Sequence, residues 1–318
     1  MPVHVRRLAY DDGEALAALI ARSRERDELR AFSPWIERAV GTEIEGPSRA
    51  AVAEDETGLV GVVIPDLKAL VVEPVRRMQG IGRRLAETGL VIEREQGNPA
   101  LYLGVLPGDA RGEAFLRATG FAFHSAVHDL ALGSEVVVRP QAVPDGYAAR
   151  PFDRDRDAET WPAAFNEAFA THPTPLRLDP LDLRRWLTEP GFRDDDTILL
   201  EDAAGAIAGF VSTDPRYRPD GSIIGSAELW AIGVLPANRG RGLGRALLRL
   251  GVAWLRALGV DTVTLSVSAA NPNALTLYET EGFVRTAQRD RWARPVEPDG
   301  TAGPGASTEP DAAAGAEG

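Results

Sequence analysis

The sequence predicts an α/β protein of the α+β type, in which two tandem units each carry a mixed, mostly antiparallel sheet with flanking helices. Three observations lead to this fold class. The chain of 318 residues is long enough for two domains. Residues 66–121 align with residues 228–283 without a gap, and 16 of the 56 aligned pairs are identical. Both copies also alternate strand-like runs with helical stretches in the same order, which indicates duplication of one structural unit.

The composition is that of an ordinary globular protein and excludes several classes of function. The chain is 44% hydrophobic and 26% charged, and it has no apolar run near twenty residues that would predict a membrane span. It has no cysteine, which excludes disulfides, thiolate metal sites and a cysteine nucleophile. The formal net charge of −12 disfavours binding to nucleic acid. The N-terminal residues lack the apolar stretch of a signal peptide, so we expect a cytoplasmic protein without a membrane partner.

Hydrophobic periodicity predicts the elements of each copy in order. In the first copy these are a strand at 3–8, a helix from 11, a hairpin of strands at 51–55 and 59–64, a buried strand at 67–72, a loop, a long helix, a strand at 100–105 and a last helix that ends at Gly120-Phe121. In the second copy they are a strand at 146–152, a helix at 157–169 with Pro162 near its first turn, a hairpin at 197–202 and 206–212, a strand at 229–234, a loop, a long helix, a strand at 263–268 and a last helix that ends at Gly282-Phe283. The mixed-charge runs at 22–30 and 153–157 are interpreted as solvated helix faces.

The domain boundaries follow from the repeat. The copies meet at residues 139–145, where two prolines predict a linker. We therefore predict an N-terminal domain at 1–138 and a C-terminal domain at 146–296. Residues 297–318 are rich in Gly, Pro, Ala and acidic residues and are predicted to be a disordered tail.

Each copy has a loop rich in glycine and arginine between a strand and a helix, at residues 76–85 and 237–248. Closely spaced glycines let backbone N–H groups approach an anion, and the helix N-terminus adds partial positive charge. The dinucleotide-binding fingerprint fits poorly, because its third glycine would fall on Leu247. The P-loop of nucleotide hydrolases is rejected, since no Gly-Lys-Ser/Thr follows either loop.

Two motifs together resemble the GNAT acyltransferase superfamily. The first is V-x-P-x-x-R-x-x-G-x-G before a helix, which begins at Val234 in the second copy and at Val72 in the first. The second is NPNALTLYETEGF at residues 271–283. The resemblance covers the chain up to residue 296. It implies that two neighbouring strands splay apart in each unit and that acetyl-CoA, the acyl donor, lies in the gap.

The resemblance implies one set of coenzyme A residues in each copy. In the second copy the set is Ile232, Gly233, Val234, Arg239, Gly240, Arg241, Gly242, Leu243, Gly244, Arg245, Asn271 and Asn273. In the first copy it is Leu70, Val71, Val72, Arg77, Gly80, Gly82 and Arg83. Backbone N–H groups of the loop would hold the diphosphate, with the arginines as outer charge, and a strand N–H would polarise the thioester carbonyl. Asn271 is equally suited to be a plain helix N-cap.

The resemblance also implies two catalytic residues, Glu228 and Tyr278. Glu228, at the start of the splayed strand, would take a proton from the incoming ammonium, directly or through water. Tyr278 would protonate the sulfur of the leaving coenzyme A. The alternatives are a solvated carboxylate at a strand end and an aromatic residue of the core.

The first copy departs from the pattern at the catalytic positions. Leu116 and Asp109 stand where the second copy has Tyr278 and Asn271. We therefore expect catalysis in the C-terminal domain, and a structural or regulatory coenzyme A site in the N-terminal domain. Asp66 matches Glu228, but with Lys68 beside it the residue is readily a surface ion pair.

The acceptor pocket is expected between the helix at 161–170 and Glu228. Its candidate walls are Phe165, Phe169, His172 and Trp230. His172 could also be a second base, although a histidine in THPTP is more typical of a turn.

Within the family, the tandem arrangement with a degenerate first half resembles the mycothiol synthase branch, which acetylates a cysteinyl-glucosaminyl-inositol. Three positions that hold the acceptor in that branch differ here. Thr174, Asp214 and Ser266 stand in place of an acidic residue, a lysine and a tyrosine.

Three functions stay open at this point. The leading hypothesis is an acetyl-CoA-dependent N-acetyltransferase that acts on a small primary amine or a peptide amino group. The second is a mycothiol synthase, and the third is a non-catalytic coenzyme A sensor. No metal is expected, because the histidines at 4, 124, 128 and 172 form no ligand pattern, and His124 and His128 are expected on a strand. The protein would be a monomer or a homodimer.

Overall fold

The structure, a computed structural model, describes residues 2–26, 49–139, 142–172, 177–188, 192–215, 217, 223 and 225–297. Except for Glu297, the predicted tail lies outside this part of the chain, as do Thr174 and residues 27–30 of the first charge run. Among the helices of the described residues, none has both the length and the apolar character that crossing a membrane requires.

Within each copy the described elements follow the predicted order, and a long strand that is not among the predicted elements follows the last helix of each copy. They are β1 (His4–Arg7), α1 (Gly13–Arg26), β2 (Ala51–Asp55), β3 (Gly58–Ile64), β4 (Ala69–Val72), α2 (Ile81–Glu95), β5 (Ala100–Val105), α3 (Ala110–Ala118), β6 (Ala122–Leu132), β7 (Tyr147–Pro151), α4 (Arg154–Asp157), α5 (Trp161–Ala168), α6 (Pro180–Trp186), β8 (Thr197–Asp202), β9 (Ile207–Asp214), β10 (Ser226–Val234), α7 (Leu243–Ala257), β11 (Thr262–Ser268), α8 (Pro272–Thr280) and β12 (Val284–Pro295).

Two features of the helices differ from the prediction. The helix predicted at 157–169 begins only at Trp161, with Pro162 in the first turn of α5, where its missing N–H is tolerated, and residues 154–157 form the separate short helix α4. The short helix α6 was not predicted at all, since its seven residues are too few for a periodic signal.

The duplication is visible in the element bounds. α2 and α7 start 162 residues apart and end 162 residues apart (243 − 81 and 257 − 95). α3 and α8 have the same offset at both ends (272 − 110 and 280 − 118). Equal bounds without a gap mean that both copies use the same strand-loop-helix geometry.

An ion pair between a partly exposed arginine and a buried aspartate, which we call the arginine clamp, repeats outside the aligned blocks. On β1, Arg6 donates from Nη1 to Asp12 at 2.6 Å and also binds Glu54 on β2. Its bond to Asp12 holds the pKa of that carboxyl below its usual range. The same strand-to-helix arrangement recurs in the second copy, where Arg150 on β7 donates to Asp157 at 2.6 Å. The sequence did not reveal this repeat because the spacing between the partners differs.

The charge run at 153–157 is therefore not a solvated face throughout. The prediction is wrong for Asp157, which is 2% exposed. Burial by itself would raise the Asp157 pKa, but the bonds from Arg150 and from the backbone of Asp153 outweigh burial and lower it. Asp153 caps α4 through its side chain, so the run combines a cap, an ion pair and exposed residues.

The described residues fall into two compact units that interleave along the chain. The first takes residues of Met1–Leu103, Arg117–Ala122 and Ala293–Gly318, and the second takes Gly104–Leu116 and Phe123–Trp292. The domain boundaries expected from the repeat stay a prediction, because a repeat groups residues by sequence whereas a compact unit groups them by contact.

The first unit contains a four-stranded antiparallel sheet in the order β1-β2-β3-β4. Apolar side chains of α1 and of β2 to β4 form one core of this unit. Leu85 of α2 is also fully buried and lies against β3 at Gly61. The hairpin turn between β2 and β3 is closed by Asp55, whose carboxylate accepts a bond from the Thr57 backbone at 2.8 Å.

The second unit contains a mixed, mostly antiparallel sheet in the order β12-β6-β11-β10-β9-β8-β7. β10 and β11 run parallel, and β7 to β10 pair antiparallel. β6 pairs antiparallel with β11 from Leu132↔Val263 to Val127↔Ser268. By sequence β6 belongs to the first copy, so residues of the first copy complete the sheet of the second. The predicted fold class is confirmed, and His124 and His128 lie on β6 as expected.

The two faces of this sheet are covered differently. One face packs on α7, whose buried Leu247 and Val252 belong to the same core as Val263 and Leu265 of β11. The opposite face packs on α5 through an aromatic cluster that includes Trp161 and other rings of α5, α6, β9 and β10. We call these the α7 face and the aromatic face.

Candidate active site

The second Gly-Arg loop has the backbone of an anion-binding site. Gly240 and Gly242 have φ of +76° and +81°, a left-handed conformation that side chains rarely adopt. Gly242 is the N-cap of α7, and the buried Leu243 anchors the helix start in the core. Gly244 follows in the first helical turn. The N–H groups of the first turn therefore lie at the loop, with the positive end of the helix dipole.

All three arginines of this loop are exposed, and each has a partner in the protein. Arg239 donates from Nε to the carbonyl oxygen of Val234 at 3.1 Å and from Nη2 to that of Ala168 at 3.0 Å. It thus ties the loop to β10 and to the end of α5. Nε of Arg245 lies 3.3 Å from a carboxylate oxygen of Glu281. The third arginine, Arg241, is exposed and reaches β7.

The first Gly-Arg loop keeps the same backbone with a different side chain. Gly80 caps α2 with φ of +77°, as Gly242 caps α7. Met78 stands at the position of Gly240 and still has φ of +62°, which is uncommon for a residue with a side chain. Arg77 donates from Nε to the Val72 carbonyl at 3.2 Å, which repeats the contact of Arg239 with Val234.

The other coenzyme A residues expected in the first copy lie around this loop. Leu70 and Val71 are on β4, and Gly82 is in the first turn of α2. Arg83 donates to the Ala118 carbonyl at 3.3 Å. Loop, strand end and helix start thus come together in the first copy as well.

β10 and β11 splay apart as expected. Their parallel pairing ends at Glu228↔Thr264, although β10 continues to Val234 and β11 to Ser268. Ile232, Gly233 and Val234 lie in the stretch of β10 that borders this gap and pair with β9 on the other side. The ring of Phe210 packs directly on the backbone of Gly233, where a Cβ would lie 2.4 Å from that ring, so a side chain at this position would clash.

Glu228 is positioned at the closed end of the gap. It is 5% exposed, and its neighbours Ala227 and Leu229 both belong to the core of the α7 face. Because side chains alternate along a strand, Glu228 is on the aromatic face. A β-bulge follows at Trp230, where β10 has one residue more than β9. The alternative of a solvated strand-end carboxylate does not fit this burial.

Tyr278 is positioned on the other face. Its ring packs in the core of the α7 face, 6.1 Å between ring centroids from Phe283, and the residue is 9% exposed. Burial raises the pKa of Tyr278 to about 12, so the hydroxyl keeps its proton at neutral pH. Leu116, at the matching position of the first copy, is 3% exposed and has no hydroxyl to offer.

Asn271 is the N-cap of α8. Its side-chain oxygen accepts a bond from the Ala274 backbone at 3.1 Å, so the capping interpretation is confirmed. Asn273 is exposed in the first turn of the same helix. Any contact of either residue with coenzyme A stays a prediction.

The four residues expected to line the acceptor pocket lie in or next to the aromatic cluster. Phe165 is 4% exposed and 5.8 Å from Trp230 between ring centroids, so it supports that ring from within the core. Phe169 is 4.8 Å from Phe165, and His172 is 6.0 Å from Phe169. The structure adds Trp186 on α6, 6.2 Å from Trp230, which no sequence pattern indicated.

The sequence of this chain matches one family model and is similar to known acetyltransferases. The model of the acetyltransferase (GNAT) family matches residues 159–283. A mycothiol acetyltransferase from Thermobispora bispora is 33% identical over 284 residues, which are 86% of this chain and 93% of the relative. One from Clavibacter michiganensis is 33% identical over 274 residues, which are 82% of this chain and 85% of the relative.

Two solved structures share the fold at lower identity. A GCN5-related N-acetyltransferase from Sphaerobacter thermophilus has a TM-score of 0.64 at 20% identity, over 93% of this chain and 96% of the other. A tandem GNAT protein from the clavulanic acid biosynthesis pathway has a TM-score of 0.63 at 20% identity, over 94% of this chain and all of the other (100%). These likenesses establish the fold over nearly the whole chain.

Proposed function

Because this chain belongs to the GNAT acetyltransferase family, we propose that it transfers the acetyl group of acetyl-CoA to a primary amine by direct attack, with catalysis in its C-terminal half. The family membership makes the chain an N-acetyltransferase. The donor, the acceptor and the reacting half of the chain are the proposed parts. The observation that carries them is the gap between β10 and β11, with Glu228 on one face of the sheet and Tyr278 in the core of the other.

The donor would be held by the loop and by the open edge of β10. The left-handed Gly240 and Gly242 and the start of α7 suit the diphosphate. The β10 stretch at Ile232 to Val234 has the backbone groups that could bind an extended amide chain in the gap. A backbone N–H in this stretch would stabilise the oxyanion that forms when the thioester carbonyl is attacked.

Direct attack needs a neutral amine, and we assign to Glu228 the role of removing the proton from the ammonium ion. An amine reaches the reaction as an ammonium ion at neutral pH and must lose a proton before its lone pair can form the N–C bond. Glu228 lies on the aromatic face and would accept that proton, directly or through water. The rings of Trp230 and Phe169 would exclude water and hold the apolar part of the acceptor.

Tyr278 is the proposed general acid. When the C–S bond breaks, the sulfur leaves with the bonding electron pair and needs a proton. A tyrosine with a pKa of about 12 is fully protonated at neutral pH and can donate. The N–C bond forms, and the C–S bond breaks with its electron pair on sulfur. The nitrogen loses one proton to Glu228 before the attack and a second one to solvent when the amide forms. Glu228 then releases its proton to solvent and Tyr278 takes one back, so that one proton is released overall.

The first half is proposed to bind coenzyme A without catalysing the transfer. Its loop has the same left-handed Gly80 and the same strand-end arginine contact. Leu116 has no hydroxyl that could protonate the sulfur of coenzyme A. The exposed Met78 has a side chain where the second loop has Gly240, so this loop has fewer accessible backbone conformations.

A second candidate specifies the acceptor as the cysteinyl-glucosaminyl-inositol that gives mycothiol. The identity of 33% to mycothiol acetyltransferases over most of both chains favours it. Asp214 and Ser266, which differ from the branch at acceptor positions, favour a different amine.

Calorimetric titration of acetyl-CoA into the intact protein tests the donor sites. Gly242→Glu and Gly80→Glu each place a negative charge in one Gly-Arg loop and should abolish binding of the coenzyme A phosphates there. Gly205→Glu is the matched control, because Gly205 also has a left-handed φ (+80°) with open space around it but lies in the turn between β8 and β9. We expect two sites in the parent and in the control, and one in each loop variant. Absence of binding in the parent would refute the proposal.

An amine panel that includes cysteinyl-glucosaminyl-inositol then identifies the acceptor. Turnover should be lost in Gly242→Glu and retained in Gly80→Glu. Equal loss in both variants would contradict catalysis in the C-terminal half. Preference for cysteinyl-glucosaminyl-inositol over every other amine would select the second candidate.

A further inference from the structure

Arg241, at the tip of the second Gly-Arg loop, is tied to the sheet by a tyrosine hydroxyl. Its Nη1 donates to the hydroxyl of Tyr147 at 3.0 Å, and this hydroxyl in turn donates to Oδ1 of Asn238 at 2.9 Å. No motif of the sequence indicated either partner. Tyr147 is 94 residues from Arg241 in the chain.

The direction of this hydrogen-bond chain follows from the donor inventory. A guanidinium can only donate, so the tyrosine oxygen must accept from Arg241. The tyrosine proton is then available for a second partner, and the Asn238 carboxamide oxygen accepts it. Asn238 closes the short 3-10 turn Pro236–Asn238 that leads into the loop. Asn238 therefore orients the Tyr147 hydroxyl, and the hydroxyl orients the Arg241 guanidinium.

Tyr147 is a rigid support for the arginine. It lies on β7, opposite Asp202 of β8, and its ring packs against the core of the α7 face. Its backbone N–H also donates to the Pro144 carbonyl at 3.2 Å. The pairing of β7 and the packing of the ring thus hold the Tyr147 hydroxyl in place. The Arg241 guanidinium is oriented by this hydroxyl and stays exposed to solvent.

The three arginines of the loop differ in what their partners do to their charge. Arg245 shares the carboxylate of Glu281 with Arg249, so its charge is partly offset. Arg239 uses two nitrogens for backbone carbonyls within the protein. The Tyr147 hydroxyl is neutral and takes one nitrogen of Arg241, so the bond orients the cation and leaves its charge in place.

The first copy cannot build this chain. Gln79 matches Arg241, and Arg76 matches Asn238, both at the offset of 162 (241 − 79 and 238 − 76). Val3 precedes the clamp residue Arg6 by three positions, as Tyr147 precedes Arg150. Valine has no hydroxyl, and Arg76 instead pairs with Asp55 at 2.9 Å.

We propose that Tyr147 is a positioning residue that holds Arg241 as a ligand for a phosphate group of coenzyme A. This inference rests on the proposed function and specifies the donor site of the C-terminal half. The phosphate is either in the diphosphate, beside the backbone N–H groups of the loop, or the 3′-phosphate of the adenosine end. Both are anions that a guanidinium binds through paired N–H groups.

The test compares acetyl-CoA with 3′-dephospho-acetyl-CoA by calorimetry, on a Gly80→Glu background that removes the first site. The variants are Tyr147→Phe, Arg241→Gln and the double variant. Tyr147→Phe keeps the packed ring and removes one hydrogen bond, so we expect acetyl-CoA binding to weaken roughly three- to tenfold. Arg241→Gln should weaken it further, and Tyr147→Phe should then have no additional effect.

The other readouts separate positioning from a structural role. The kcat at saturating acetyl-CoA should stay within about twofold in Tyr147→Phe, while the KM rises, because a lost binding contact acts on affinity. Tyr217→Phe, which removes a hydroxyl bonded to Asp196 at 3.0 Å, is the control and should leave acetyl-CoA affinity unchanged. If the effect disappears with the dephospho analogue, the ligand is the 3′-phosphate. If it persists, the ligand is the diphosphate.

Two results would overturn the inference. One is equal acetyl-CoA affinity in Tyr147→Phe and its parent. The other is the same weakening by Tyr147→Phe in the Arg241→Gln background, because the tyrosine would then act independently of the arginine. Either result leaves the proposed function intact, whereas absence of acetyl-CoA binding in the parent refutes the proposed function itself.

Discussion

Glu228 of β10 lies directly opposite Asp214 of β9 in an antiparallel pair. Directly opposed residues share a face and have Cβ atoms about 5 Å apart, so two carboxyl groups come together on the aromatic face at the closed end of the gap. Two acidic side chains on one face attract a cation. This relationship supports an acceptor that arrives as an ammonium ion.

Glu228→Gln should lower kcat/KM for the amine about 10²- to 10³-fold at neutral pH, because the base is lost while the shape is kept. Activity should recover in part as the pH rises towards the pKa of the amine, since a growing fraction of the acceptor is then neutral. The pH–rate profile measures this. Asp214→Asn is the matched control and should mainly raise the KM for the amine. A loss in Glu228→Gln that is the same at every pH would show that Glu228 is not the base.

Tyr278→Phe should reduce kcat at least about tenfold and leave the Kd for acetyl-CoA within about twofold. The ring still fills the core beside Phe283, so the midpoint of thermal unfolding should change little. Steady-state kinetics and calorimetry on the same preparation check both statements. Unchanged kcat would mean that another group protonates the sulfur.

A fragment of residues 142–297 should fail to fold cooperatively. It contains the whole second copy of the repeat but lacks β6, whose Leu130 and Leu132 are fully buried and whose backbone pairs with β11. Removing a buried leucine side chain costs about 2–5 kcal/mol, and here an internal edge of the sheet is exposed as well. Urea unfolding followed by circular dichroism measures cooperativity. The fragment 104–297, which retains β6, should show a steeper transition, and equal behaviour of the two fragments would contradict the role of β6.

Asp157→Asn should destabilise the protein by about 1–3 kcal/mol at neutral pH, because it removes the buried carboxylate that binds Arg150 and leaves that arginine with Glu201 as its other partner. The Asp157 pKa is lowered in the folded state, so its stabilising effect is present above the unfolded pKa and is lost as the pH falls through the folded pKa. The difference in unfolding free energy between parent and variant should therefore shrink in acid. Urea unfolding at neutral and acidic pH measures it. Asp155→Asn, an exposed change on the same helix, should have almost no effect at either pH.

Asp196 should have the opposite pH dependence. Burial raises its pKa to about 6, against the bonds it accepts from Trp254 Nε1 at 3.1 Å and from the Tyr217 hydroxyl at 3.0 Å. Between the unfolded value near 4 and about 6, the folded state holds a proton that the unfolded state releases. This group therefore makes stability fall as the pH rises through that window.

Asp196→Asn tests that dependence. Asp196 contributes a negative slope of unfolding free energy against pH between 4 and 6, so the slope in the variant should be more positive than in the parent. Asp195→Asn, an exposed neighbour, should keep the slope of the parent. An identical slope in Asp196→Asn and in the parent would refute the raised pKa.

The sequence by itself determined the repeat, the order of the elements and the Gly-Arg loops. These rest on local rules: apolar periodicity places α2 and α7, and the left-handed backbone at Gly80 and Gly242 favours glycine. The family motifs also marked Glu228 and Tyr278, and the splay of β10 from β11 followed from the same resemblance.

The tertiary structure alone decided which distant residues meet. It inserts β6 beside β11, buries Asp157 under Arg150, sets Trp186 against Trp230 and joins Tyr147 to Arg241. Such pairs leave no periodic trace, because their separation in sequence depends on loop lengths. Their energies depend on burial and on a hydrogen-bond partner supplied by another strand or helix, and both exist only once the chain has folded.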